Sequence, residues 1–160
     1  PDDCTRGEIG MIETITLPAD TLLYHISDRE HPPEKPHRGK PMWLSTNSGL
    51  IASACMWGDN DRWMLAFYTQ QPLSLLLLSA HDVHPPGGNA SGTVFAEIAT
   101  SFGQEYTHND KNNIKLIRAI EADGWFVPDF NPNFDEVLLL RPNTALEHTK
   151  TVLLSPQESW

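Results

Sequence analysis

Three segments marked by proline, 27–41, 81–92 and 128–133, the first two with glycine as well, interrupt this chain, and no regular element can run across them. The first holds Pro32, Pro33, Pro36 and Gly39 and reads as a long exposed loop, a kind of segment that in ordered domains usually serves function. Between the loops, apolar residues come in brief runs. Thr21-Leu22-Leu23-Tyr24-His25-Ile26, after a break at Pro18-Ala19-Asp20, has the β-branched and aromatic character of a strand, with His25 near its end. Met42-Trp43-Leu44-Ser45 forms another. It stops at Thr46-Asn47-Ser48, any of which can cap a helix carrying Leu50, Ile51, Ala54, Cys55 and Trp57 and ended by Gly58.

Residues 63–69 and 73–79, around a turn at Gln70-Gln71-Pro72, give two buried strands or one strand with a break. An amphipathic segment over 93–102 predicts a helix. A second helix starts at Asn109 or Asp110, sets Ile114, Leu116, Ile117 and Ile120 on one face, and places Gly124 as its C-terminal stop. After Trp125-Phe126-Val127 and the third loop, residues 136–141 form a continuous apolar strand opened by an acid, and 149–154 a last strand. Strands and helices intermixed in this way, with no internal repeat, predict one α+β domain over residues 1–160 whose three loops supply a cleft.

At 160 residues the chain supports one core, and its 39% hydrophobic and 20% charged residues are far from a disordered composition. Apolar runs such as 75–78 are much shorter than the roughly 20 residues a membrane helix needs, so a soluble chain with no span is expected. Pro1-Asp2-Asp3-Cys4 lacks the basic start and apolar run of a secretory signal. These features leave the location open, a cytoplasmic one included. A formal charge of −10, from 11 Lys+Arg against 21 Asp+Glu, argues against non-specific nucleic-acid binding but leaves room for a local dinucleotide pocket. Cys4 and Cys55 form neither a disulfide framework nor a zinc motif, and Cys55 reads as a small buried hydrophobe.

Glu136 draws attention because an acid opening a buried strand needs compensation, either from solvent and a base such as Arg141 or Lys150, or from a functional site. Asp135 beside it should point to the opposite face of an extended strand, so the two should not form a carboxylate pair. His25 alone is more often structural than catalytic. The order of features carries more: a strand ending Leu23-Tyr24-His25, a second ending Trp43-Leu44-Ser45-Thr46 before a helix, then Asp123-Gly124-Trp125, then Asp135-Glu136-Val137-Leu138-Leu139.

That series resembles the ADP-ribosyltransferase superfamily of mono-ADP-ribosylating toxins and poly-ADP-ribose polymerases, nearer the His-Tyr-Glu branch than the Arg-Ser-Glu branch, over about residues 21–150. The resemblance implies an α+β fold with a split β-sheet core and flanking helices, and NAD as the substrate. It also implies transfer of ADP-ribose to a protein or other macromolecular acceptor with release of nicotinamide. Glu136 and His25 take the catalytic positions; His25, Trp43, Ser45, Thr46 and Trp57 take those that bind NAD. The chain departs from the family in having Trp57 where an aromatic tyrosine is usual, and Phe134 where the Arg-Ser-Glu enzymes carry Gln or Glu, which disfavours arginine-directed transfer.

Two related readings stay open: an NAD glycohydrolase with water as acceptor, and a non-catalytic nucleotide- or protein-binding module of the same fold. No metal site is expected, because His81-Asp82-Val83-His84, His31 and His37 lie in loops, which makes a metal-dependent hydrolase a poorer fit. Ser45 and Ser53 lack the Gly-x-Ser-x-Gly turn of a hydrolase nucleophile.

Overall fold

The computed structural model describes residues 6–9, 12–27, 40–50 and 62–154. The described residues form nine strands, the first two without a counterpart among the expected runs: β1 (Arg6–Ile9), β2 (Ile12–Leu17), β3 (Leu22–Ser27), β4 (Met42–Leu44), β5 (Arg62–Thr69), β6 (Leu73–Leu77), β7 (Gly124–Val127), β8 (Glu136–Leu139) and β9 (Leu146–Leu154). They divide between a six-stranded sheet, ordered β1-β2-β6-β7-β8-β4, and a three-stranded sheet, ordered β3-β5-β9. The α-helices wholly within the described residues are α1 (Ala80–Val83), α2 (Val94–Ser101), α3 (Asp110–Ala119) and α4 (Pro142–Ala145). The architecture is therefore α+β with its β-structure split in two. Among the described residues no helix is long and apolar enough to cross a membrane.

β6 and β7 pair in parallel, and α1, α2 and α3 form the crossover such a pair requires. These helices lie on one face of the larger sheet, where Phe95, Ile98 and Ile117 pack with Leu76, Trp125 and Leu138. A second core brings Leu23, Leu65 and Phe67 of the small sheet against Leu75, Val137 and Leu139 of the large one. Alternate residues of β8 thus enter different cores, which is why this strand reads as an unbroken apolar run.

Several expectations are refined. β5 and β6 are two strands, but instead of pairing they belong to different sheets, and Gln70 fastens their junction by donating from its backbone to Ala145 O at 2.8 Å and from its side chain to Leu146 O at 2.8 Å. The 81–92 loop contains structure: Asp82, buried, accepts from Ser79 N and Ser79 Oγ at 2.8 and 3.0 Å and from Val94 N at 2.9 Å, tying α1 to the start of α2. β9 begins at Leu146, ahead of the expected 149.

Asn109 caps α3 by accepting from Asn112 N at 2.8 Å, as its side-chain type favours. Gly124 is not the stop of that helix. Glu121 takes the left-handed conformation after it, at φ 59°, and Gly124 opens β7 instead. There it lies between Leu75 and Leu139, so close to β8 that a Cβ would stand 1.7 Å from the Leu138 carbonyl oxygen.

The proposed helix beyond residue 50, with Cys55 and Trp57, and the loop histidines His31 and His37 lie outside the described residues, as do Cys4 and Ser53.

Candidate functional site

The two sheets meet along β3 and the short β4. Tyr24 N donates to Ser45 O at 2.8 Å and Ser45 N to Tyr24 O at 2.9 Å, an antiparallel bridge between the sheet edges. One residue beyond it, His25 Nδ1 lies 2.7 Å from Trp43 O. A carbonyl only accepts, so Nδ1 carries the hydrogen, and in the neutral ring Nε2 keeps its lone pair. Burial lowers the His25 pKa, outweighing the opposing effect of the Trp43 carbonyl, so the ring is neutral at neutral pH.

On its other side β4 pairs antiparallel with β8, Leu44 opposite Val137. Asp135 reinforces that pairing. Its Oδ1 accepts from Ser45 Oγ at 2.8 Å and Thr46 N at 2.7 Å, and its Oδ2 accepts from Thr46 Oγ1. Ser45 is only 1% exposed and also accepts from Asn47 N at 3.1 Å, so its hydroxyl both donates and accepts. Asn47 Oδ1 in turn accepts from Gly49 N at 2.8 Å, and Gly49 packs against the backbone of Asn133 in the third loop. Removing the carboxylate strands a buried hydroxyl and a backbone N–H. Asp135→Ala is expected to lower stability by about 2 kcal/mol in urea unfolding, and an unchanged midpoint would show that solvent replaces the clamp.

Glu136 opens β8 opposite Val127 of β7. Neither Arg141 nor Lys150 compensates it. Trp125 Nε1 donates to Glu136 Oε2 at 3.1 Å instead. Burial raises the Glu136 pKa; the indole bond opposes the shift and the Asp110 charge adds to it. Every buried side-chain N or O atom among the described residues has a partner, so Glu136 Oε1 and His25 Nε2, for which no partner is found there, are reached by solvent.

Both residues line a cavity of about 370 Å³, within the usual range for ligand sites. Ile26, Leu44 and Leu50 form its aliphatic wall, Trp43, Phe130 and Phe134 its aromatic one, and Asp135 completes it. None of these lining residues is a cation. Trp43 is 40% exposed, and the Phe130 and Phe134 rings lie 5.9 Å apart.

A solved structure shares this fold. A chain of the M. tuberculosis MbcT–MbcA toxin–antitoxin complex aligns with a TM-score of 0.52 over 88% of this chain and 87% of that chain, at 12% identity. A likeness at that identity concerns the fold alone. Neither a protein-family model nor a curated protein matches the sequence.

Of the residues singled out from sequence, His25, Trp43 and Glu136 come together around the cavity. Ser45 and Thr46 stand just behind it with their hydroxyls on Asp135, and Trp57 lies outside the described residues. Asp135 and Glu136 both line the cavity, but their carboxylates meet partners on different segments. They do different work, since Asp135 holds Ser45 and Thr46 while Glu136 meets the indole.

Phe130, on the third loop, carried no functional signal in the sequence, and neither Phe134 nor Trp125 was singled out as a site residue. Among the described residues no group of three His, Cys, Asp or Glu could hold a metal ion, and the His84 ring packs on Phe130 at 5.4 Å.

Proposed function

We propose that this chain is an ADP-ribosyltransferase-like domain that binds the nicotinamide–ribose end of NAD in the β3–β4–β8 cavity and breaks the bond between them. The observation that carries this reading is that Glu136 and His25, anchored through Oε2 and Nδ1, line one aromatic-walled cavity. A flat, cationic pyridinium ring suits aromatic faces and nearby carboxylates.

In the reaction the C1–N bond of the nicotinamide ribose breaks and its electron pair leaves with neutral nicotinamide. The ribose acquires oxocarbenium character. Ionised Glu136 stabilises that positive charge and orients a ribose hydroxyl through Oε1. Neutral His25 accepts a hydrogen bond at Nε2 from a ribose hydroxyl or the carboxamide. The acceptor's lone pair then forms the new bond at C1, and its proton passes to Glu136 or solvent.

With a macromolecular acceptor the product is an ADP-ribosylated partner; with water it is free ADP-ribose, the glycohydrolase outcome. A protein partner also fits the fold likeness to a chain of a toxin–antitoxin complex.

The test is nicotinamide release from NAD by the purified chain, with and without cell extract, across pH. Turnover is expected to fall on the acid side, where Glu136 takes up a proton and His25 charges. The raised Glu136 pKa sets that limb above the ordinary glutamate value of about 4.3. No release under any condition would sink the enzymatic reading and favour a binding module.

A further inference from the structure

We infer that Trp125 is a positioning residue that fixes Glu136 with one carboxylate oxygen held and the other turned to the cavity. This deepens the proposed function and rests on it for its catalytic meaning. The geometry comes from register. Trp125 lies opposite Leu138 and Glu136 opposite Val127, so the indole and the carboxylate are diagonal neighbours on one face of the β7–β8 pair, a separation that a long aromatic side chain spans.

Trp125 is held firmly enough for that task. It is 2% exposed, and Phe95 of α2 meets it edge to face at 5.5 Å between centroids. Its Nε1–H is a donor only, and the bond to Oε2 is the one hydrogen bond to the Glu136 carboxylate found among the described residues. A rotating carboxylate would present either oxygen to substrate; one pinned at Oε2 presents Oε1 alone. The same bond favours the ionised form, against the burial that disfavours it. Among the described residues the other titratable groups around it are Asp135 beside it, His25 on β3 in the cavity wall and Asp110 at the start of α3.

Trp125→Phe keeps an aromatic ring there, though a smaller one, and removes the donor. Carboxyl-carbon NMR of the glutamates, with no NAD present, is expected to show Glu136 titrating at higher pH in Trp125→Phe than in the wild type. In turnover assays the same variant is expected to lose about 10- to 100-fold in kcat, the scale of one hydrogen bond to a charged group, with KM little changed and the acid limb moved upward. A Glu136 titration identical in the two proteins overturns the inference.

If Trp125→Phe does not fold, the wild type decides by its Trp125 Nε1–H resonance. This should move through the Glu136 titration and lose that step in Glu136→Gln. A resonance indifferent to Glu136 overturns the assignment. Because the NMR readouts need no substrate, they remain decisive even if the chain fails to cleave NAD.

Discussion

Glu136→Gln is expected to reduce nicotinamide release by about 10²- to 10³-fold in kcat, the usual consequence of removing one preorganised group that stabilises transition-state charge. Glutamine can still accept from the Trp125 indole, so the change keeps that contact while removing the charge and putting an N–H donor in place of Oε1. Stability should move the other way. Burial raises the folded-state pKa of Glu136, so its contribution to stability is fully present below the unfolded-state pKa and is lost as pH rises through the folded value.

At neutral pH the half-buried carboxylate therefore works against the fold. The glutamine variant should melt above the wild type there, with the difference shrinking on acidification. Opposed effects on activity and stability are what a functional carboxylate predicts. A variant that turns over NAD at the wild-type rate would remove Glu136 from the mechanism, and one that melts well below the wild type would mark it as structural.

Gly124→Ala is expected to destabilise the fold by about 3 kcal/mol or more, at the upper end of overpacking effects and a large part of a typical stability of about 5–15 kcal/mol. The added Cβ would sit 1.7 Å from the Leu138 carbonyl oxygen, a backbone atom that cannot turn aside, so β7 must draw away from β8. Trp125 is the next residue, and the same displacement would part it from Glu136. Urea unfolding measures the loss, and the titration of Glu136 in any folded fraction measures the second effect. An alanine variant as stable as the wild type would mean that the two strands do not approach this closely.

The site was legible in the sequence where one strand was enough to reveal it. An acid at the head of a run buried on both faces, Glu136, is conspicuous without any knowledge of its neighbours. His25 stands out in the same way in the β3 run. The helix over 110–119 was readable because its cap and its apolar face are local patterns. The Gly124 misassignment has the same origin. A glycine soon after a helix looks like a stop, and nothing in the adjacent residues shows that a neighbouring strand excludes a side chain.

The amino-acid sequence by itself determined the α+β composition, most of the strands, and the two polar groups, His25 and Glu136, around which the proposed chemistry turns. Each follows from patterns within a few residues: period-two or continuous apolar runs, caps, and loops marked by proline and glycine. Only the tertiary structure decided that consecutive strands β5 and β6 part into separate sheets, that Trp125 holds Glu136, and that Asp135 holds Ser45 and Thr46 from 90 and 89 residues away. Those contacts depend on strand pairing and register. Register is settled by the burial of whole faces and by contacts between strands far apart in the chain, so no local stretch of sequence contains it.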